Sequence, residues 1–343
     1  MPNQTQRAFA RELAKHDEAF AQAFLEAVQN ITSAAQIAAI DAAISRNDVQ
    51  GVITAMNLGA AFWAPLDLQI GAAFTAGAVW QQNLITGRRG AAAQQLLIGF
   101  DHRNPRAEQW MRQRGASLIT ELTNDTRLGA QRIVTEGIEQ GWGTQRTRRA
   151  LIGTRVGNQL RGGIIGLHSS QVDAVIKARA ELSDPTRLRE YLRRVGGSAP
   201  QRSTVNAAIR AERALTQPEI DRVVTSYSNR LLQARGQRIA RTEAHNAFSA
   251  GTFEGVQQMI ESGNLPASAV EMVWQATVGS NRTRDSHRAM NGQRVPFGQP
   301  FTSPVTGAQL MHPGDASLGA GGDDTINCRC GVRPVVDFAA LAI

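Results

Sequence analysis

Lysine, tyrosine and cysteine each occur only twice in these 343 residues, and aromatic side chains make up 5% of them. The two cysteines, Cys328 and Cys330, are separated by one residue. A bridge between them would close a very tight ring, which excludes a conventional stabilising disulfide. With no other thiol, the chain reads as made and kept in a reducing compartment. Long apolar runs are missing as well. From Val49 to Gly87 the only charged residue is Asp67, but Asn57, Pro65, Asp67 and Gln69 interrupt the stretch. A membrane span needs about twenty apolar residues in succession, so buried helices are expected here and no membrane partner. Arg7, Arg11, Glu12, Lys15, Asp17 and Glu18 punctuate the N-terminus, which excludes a secretion-signal pattern.

Arginine is what the chain has in excess: 35 of its 37 basic residues. The net charge of +8 is local, because residues 101–230 carry a net +9, residues 1–100 a net −1 and residues 231–343 none. A GC-rich genome would explain arginine in place of lysine, but not the clustering. Arg146, Arg148, Arg149, Arg155 and Arg161 flank glycine-rich turns, and Arg187, Arg189, Arg193 and Arg194 crowd a short helix around Tyr191. Two readings stay open. Such forks can neutralise phosphates and bind DNA without sequence preference, or they can form a solvated or partner-binding face. No zinc-finger, RNA-recognition or recognition-helix motif supports base-specific reading.

The patterning predicts a mainly α protein with a small α+β C-terminal domain, in which short strands and loops pack on a long helix. Helical spacing covers residues 6–30, 33–45, 47–61 (capped at Asn47) and 66–85, which together form an N-terminal helical domain over 1–87. A linker is expected over 88–104, and Asn104-Pro105 opens the next helix. An arginine-rich helical domain follows over 105–233, with Thr144 as a cap, helices at 144–153, 169–181, 185–194 and 203–214, and a break at Gly196–Pro200. A segment from 218 to 262 is long for one helix, and Gly236 marks the expected break. Residues 234–343 form the C-terminal domain. There Val270 to Val278 is rich in β-branched residues and reads as a strand. No repeat of solenoid length is found.

Most groups able to do chemistry lie in that last domain. Cys328-x-Cys330 with His287 and His312 resembles a Cys₂His₂ zinc set, although structural zinc usually uses a wider cysteine spacing; two buried thiols beside Arg329 are the plainer reading, and no cofactor is the expectation. Asp285-Ser286-His287 holds acid, nucleophile and base types, but neighbours in sequence point in different directions, so no catalytic residue is assigned. A polar network is expected instead, with Arg241, Glu243, Arg284, His287 and Asp315 satisfying one another. Pro313-Gly314-Asp315 with Gly319 to Gly322 lacks the alternating acids of a calcium loop and reads as turns.

Arg238-Ile239-Ala240-Arg241-Thr242-Glu243 is followed by Trp274, Arg282-Thr283-Arg284-x-x-His287, Asn291-Gly292-x-x-Val295, Pro313-Gly314-Asp315 and Asn327-Cys328-Arg329-Cys330. In order and spacing these segments resemble the phage Mu F-like head morphogenesis family of tailed bacteriophages. Weaker similarity in Asn104-Pro105-Arg106-Ala107 and Gly163 to Leu167 extends it through the middle of the chain. One departure is Ser280-Asn281, where the family usually carries an aspartate. The family pattern carries over Arg284, His287, Asn327, Cys328 and Cys330 as site positions without an assigned role. The resemblance implies a minor capsid protein, made in the bacterial cytoplasm and located inside the head near the portal. Portal protein, capsid or scaffolding proteins and packaged double-stranded DNA are the implied partners, and head assembly with DNA packaging or delivery the implied task. The alternative is a metal-dependent hydrolase or nucleotide-using transferase in the C-terminal domain.

Overall fold

The computed structural model describes residues 4–30, 34–86, 99–157, 159–194, 197–277 and 283–337. Helix accounts for 67% of it and the strands are short and antiparallel, so the chain is mainly α with a small α+β part. The helices are α1 (Gln4–Gln29), α2 (Ala34–Ser45), α3 (Val49–Ala55), α4 (Ala60–Thr86), α5 (Pro105–Glu139), α6 (Thr144–Ile152), α7 (Ser169–Ser183), α8 (Leu188–Leu192), α9 (Ala199–Arg210), α10 (Gln217–Glu261), α11 (Asp285–Ala289) and α12 (Gly322–Thr325). The strands are β1 (Thr154–Val156), β2 (Gln159–Arg161), β3 (Val270–Gln275), β4 (Arg294–Pro296), β5 (Phe301–Thr302), β6 (Gln309–Leu310) and β7 (Gly331–Val336).

Two compact units divide these elements. One contains Met1–Ala23, Leu66–Ala116 and Gln237–Ile343, the other Phe24–Pro65 and Ser117–Gly236. Segment limits at 87, 104 and 233 follow turn composition, whereas these units follow packing. Most of the expected linker, with Gly87 to Gly90, lies outside the described residues, as do Ser280-Asn281, Arg282 and Gly196.

In the first unit, α4 and α10 meet backbone to backbone. A Cβ on Gly77 would lie 2.0 Å from the Phe248 carbonyl oxygen, and one on Gly251 would lie 1.9 Å from that of Phe74. Only glycine permits this approach. Phe74 in turn stacks on Trp110, with ring centroids 4.9 Å apart. Asn104 and Pro105 start α5 as expected: the Asn104 Oδ1 accepts a hydrogen bond from the Arg106 N–H at 3.0 Å, and Pro105 sits where no N–H is needed. Arg106 then pairs with Glu254 at 2.8 Å and Glu261 at 2.7 Å on α10. The C-terminal sheet has the order β4-β3-β7, with Met272 opposite Val295 and Trp274 opposite Val332. Its inner face buries Val270, Met272 and Trp274 against Val256, Met259, Met290, Phe301 and Leu310.

The second unit is built on Phe24 and Trp63, whose rings stack at 6.0 Å, while the Trp63 Nε1–H donates to Thr123 at 3.1 Å. Arg235 is buried and donates to the Gly166 carbonyl at 3.1 Å and to Asp125 at 2.6 Å. Ser198 and Gln201 form a capping box that starts α9.

Several local expectations are corrected. Helix α10 passes through Gly236 without a break; a Cβ there would lie 2.9 Å from the Phe24 ring, so this glycine admits a neighbour. Asp48, not Asn47, caps α3, accepting from the Gly51 N–H at 2.7 Å, and Asn47 takes a left-handed φ of 55°. The expected helix 47–61 ends at Ala55, and α4 starts at Ala60 and runs through Pro65. Gly143 takes the cap position ahead of Thr144. The hairpin β1–β2 was not expected; the side-chain amide of Gln29 bonds both to the Leu160 N–H (2.5 Å) and to its carbonyl (3.3 Å), as a strand neighbour would. The nearly uncharged stretch forms α3 and all of α4, with Val52, Trp63, Leu66, Ile70 and Phe74 buried. Among the described residues, no helix is long and apolar enough to cross a membrane.

Replacing Gly251 by alanine forces two backbones apart, and such overpacking costs about 3 kcal/mol. Gly251→Ala is expected to lower the urea midpoint accordingly, and an unchanged midpoint would count against the close approach.

Candidate functional site

His287, Cys328 and Cys330 converge although they come from different elements. His287 lies on α11, whose five residues follow the β3 strand. Cys328 and Cys330 lie in the extended segment leading into β7, where side chains two apart share a face. Both thiols therefore point inward, while Arg329 between them is exposed. The Cys328 Sγ is 3.5 Å and the Cys330 Sγ 3.4 Å from the His287 Nδ1. All three side chains are at most 2% exposed. Their donor atoms lie within 4.8 Å of one another, so these residues could hold a metal.

The surroundings are equally dry. Trp274 on β3 meets the His287 ring edge to face at 5.5 Å. The other ring nitrogen, Nε2, is buried without a hydrogen-bond partner among the described residues. Its nearest acceptor is Asp324 on α12, with Oδ1 at 3.6 Å. Asp324 is itself buried and accepts from the Ser286 hydroxyl at 3.2 Å. Below the cysteines, the His245 Nε2–H on α10 donates to the Cys330 carbonyl at 2.7 Å. Burial holds His245 neutral, its pKa lowered to about 4. Burial also pushes the Cys328 thiol well above its ordinary range. A hydrogen bond from Cys328 lowers Cys330 instead, against the opposing effect of burial.

The expected mutual network of Arg241, Glu243, Arg284, His287 and Asp315 does not form. Glu243 takes a two-pronged pair from Arg114 on α5, at 2.5 and 2.7 Å. Asp315 accepts from the Met311 and Ser317 N–H groups at 2.9 and 2.8 Å, closing its own turn. Arg284 donates to the Ile326 carbonyl. Asn327 adopts a left-handed φ of 55°, and its N–H donates to Thr242 on α10 at 3.1 Å. His312 does not join the thiols; its Nδ1–H faces the Pro313 carbonyl at 3.3 Å. Asp285 pairs with Arg288, whereas Ser286 and His287 both face Asp324, so the acid, hydroxyl and imidazole of residues 285–287 do not form a relay.

A cavity of about 390 Å³ adjoins this cluster, lined by Phe9, Leu13, Asp17, Arg241, Cys328 and Arg329 among others. Burial raises the Asp17 carboxyl to about 6 against the pull of Arg241 and Arg329. Asp17, His245, Asp324 and Arg114 had no motif to flag them. Only their place in the fold brings them to the site or its supports.

The arginines of the middle region separate into two groups. Arg148 pairs with Asp41 at 2.5 Å, Arg194 with Glu181 at 2.5 Å, Arg187 with Glu190 at 2.9 Å, and Arg146 stacks on Trp142 at 4.7 Å. Arg149 reaches Gln145 at 3.3 Å. Arg155, Arg161, Arg189 and Arg193 are exposed and carry no side-chain ion pair among the described residues.

The family described as Phage Mu protein F like protein matches residues 131–333, from the arginine-rich region to the end of the thiol cluster. This chain belongs to that family. Membership makes it a capsid-related phage head-morphogenesis protein, acting with other head components in the virion. Asn104 to Ala107 precede the matched residues, and no curated protein or solved structure matches the chain.

Two measurements test the supports of this Mu F-like site. Removing Arg114 strands the buried Glu243 carboxylate, which costs about 3–5 kcal/mol, so Arg114→Ala should unfold at clearly lower urea. The second concerns pH. Burial lowers the His312 pKa below its usual 6.5, against Asp315 and the Pro313 carbonyl, which raise it. The unfolded chain therefore binds this proton first, and stability falls as pH drops below about 6.5. His245 acts in the same sense, while Asp17, protonated in the fold up to about 6, acts oppositely. His312→Asn should show a shallower loss of stability between about pH 7 and 5, and identical slopes would contradict a neutral buried His312.

Proposed function

We propose that this protein is a minor capsid protein of the head interior, associated with the portal, that aids head assembly and the packaging or delivery of DNA. The family match over residues 131–333 carries the proposal, because it includes both the clustered arginines and the thiol cluster of the C-terminal sheet. The exposed arginines support non-specific contact with double-stranded DNA, whose phosphates reward positive charge regardless of sequence. Four of the nine clustered arginines are engaged within the fold by acids or an aromatic ring and a fifth, Arg149, by Gln145, so the DNA-contacting set in this reading is Arg155, Arg161, Arg189 and Arg193. The role is structural and not catalytic in this proposal, which the pairing of Asp285 with Arg288, away from Ser286 and His287, supports.

Purified protein should retain duplex DNA at low salt and release it as salt rises. Replacing any one of Arg155, Arg161, Arg189 or Arg193 by alanine should reduce the slope of log K against log salt by about 0.9. Tagged protein drawn from infected cells should bring portal and capsid proteins with it. Binding to neither DNA nor portal at low salt would reject the reading.

A further inference from the structure

We propose that His287 Nδ1, Cys328 Sγ and Cys330 Sγ bind one zinc ion, with the fourth coordination position filled by a ligand from outside the chain. The geometry comes first. Zinc bound tetrahedrally by sulfur at about 2.3 Å and nitrogen at about 2.05 Å sets those donors about 3.6 Å apart. The two sulfur–nitrogen distances here are 3.5 and 3.4 Å, so the donors already stand close to the edges of such a tetrahedron.

Charge balance favours the same ion. Each thiol loses its proton to solvent as a sulfur–zinc bond forms, and two thiolates with one neutral imidazole exactly offset the charge of a divalent cation. A neutral centre can stay in a site this dry, whereas an unpaired buried ion could not. Two soft thiolates and an imidazole suit zinc rather than calcium or magnesium, which take oxygen ligands.

The outer contacts are in place too. A histidine ligand usually hands its second N–H to a carboxylate, which fixes the ring. The Nε2 of His287, otherwise unpartnered, faces the buried Asp324 carboxylate at 3.6 Å. That carboxylate addresses the ring nitrogen other than the one facing the sulfurs, which suits it to orienting the ring and not to ligation. His245 and His312 each reach a backbone carbonyl through one ring nitrogen, and neither belongs to the group whose donor atoms lie within 4.8 Å of one another. Among the described residues the donor set stops at three. Cys328 lines the adjoining cavity, which gives water or a small anion a route to the fourth position. This sequence-stretch pairing of Cys-x-Cys with His287 is thereby a three-ligand site, not the four-ligand set with His312.

The test uses the full chain purified with zinc present, then dialysed. Metal analysis should find about one zinc per chain, and cobalt in its place should give the thiolate charge-transfer band and the visible bands of a tetrahedral ion. Cys328→Ser and Cys330→Ser should each lose the metal and the band, and His312→Ala should keep both. Asp324→Asn should bind zinc about 10–100-fold more weakly. Folded wild-type protein that takes up neither ion, or that holds Cys328 and Cys330 as a disulfide, overturns the proposal. So does zinc retained at wild-type level in both serine variants, or lost in a folded His312→Ala. If the serine variants fail to fold, the cobalt spectrum of the wild type decides alone. None of these outcomes depends on whether the protein binds DNA or portal.

Discussion

The hydrogen bond from His245 to the Cys330 carbonyl joins the long helix α10 to the segment leading into β7, and the C-terminal site depends on it. The Cys330 carbonyl lies one residue ahead of β7, so the chain there must approach α10 closely to accept from His245. That approach fixes which way the alternating side chains point. With Cys330 inward, Cys328 is inward as well and Arg329 must be outward. Burial keeps His245 neutral, and its donation to the carbonyl then places its single ring proton on Nε2. The bond thus sets both the register of the thiols and the electrical neutrality of their floor.

Helix α10 can serve as that floor because its other contacts hold it still. Gly77 and Gly251 let α4 reach its backbone directly, and Arg106 and Arg114 on α5 neutralise Glu254, Glu261 and Glu243 along its length. A buried carboxylate is tolerated only when paired, so these arginines are tied to the helix as firmly as its apolar contacts are. The same rule accounts for the basic middle region. Arg148, Arg187 and Arg194 satisfy acids within the fold, as do Arg132, Arg179 and Arg213. The count of arginines in a segment therefore overstates the uncompensated charge at its surface.

Much of this was legible in the residues. Asn104-Pro105 starts a helix because an acceptor side chain precedes a residue that lacks an N–H. Val270 to Gln275 form a strand because branched side chains suit a pleated surface, although the strand ends three residues before the expected limit. The hairpin at 154–161 went unanticipated, despite Gly157-Asn158 standing between two short runs, because three-residue strands are too short for an alternation to register. Gly236 was misleading for a different reason. A glycine in a helix reads as a weak point until the ring of Phe24, far away in sequence, is seen to occupy the space a Cβ would need.

By itself the sequence determined the helical class, the concentration of arginine, the inward pairing of two cysteines across one residue and the order of motifs that marks a Mu F-like head protein. These are local properties, set by spacing along one chain segment. The tertiary structure alone decided the partners: Arg114 for Glu243, Asp41 for Arg148, His287 for the thiols, Asp324 behind His287, and His312 apart from them all. Partnership of buried polar groups depends on which distant elements are forced together by excluding water, and that information is spread over the whole chain rather than written at the residues concerned.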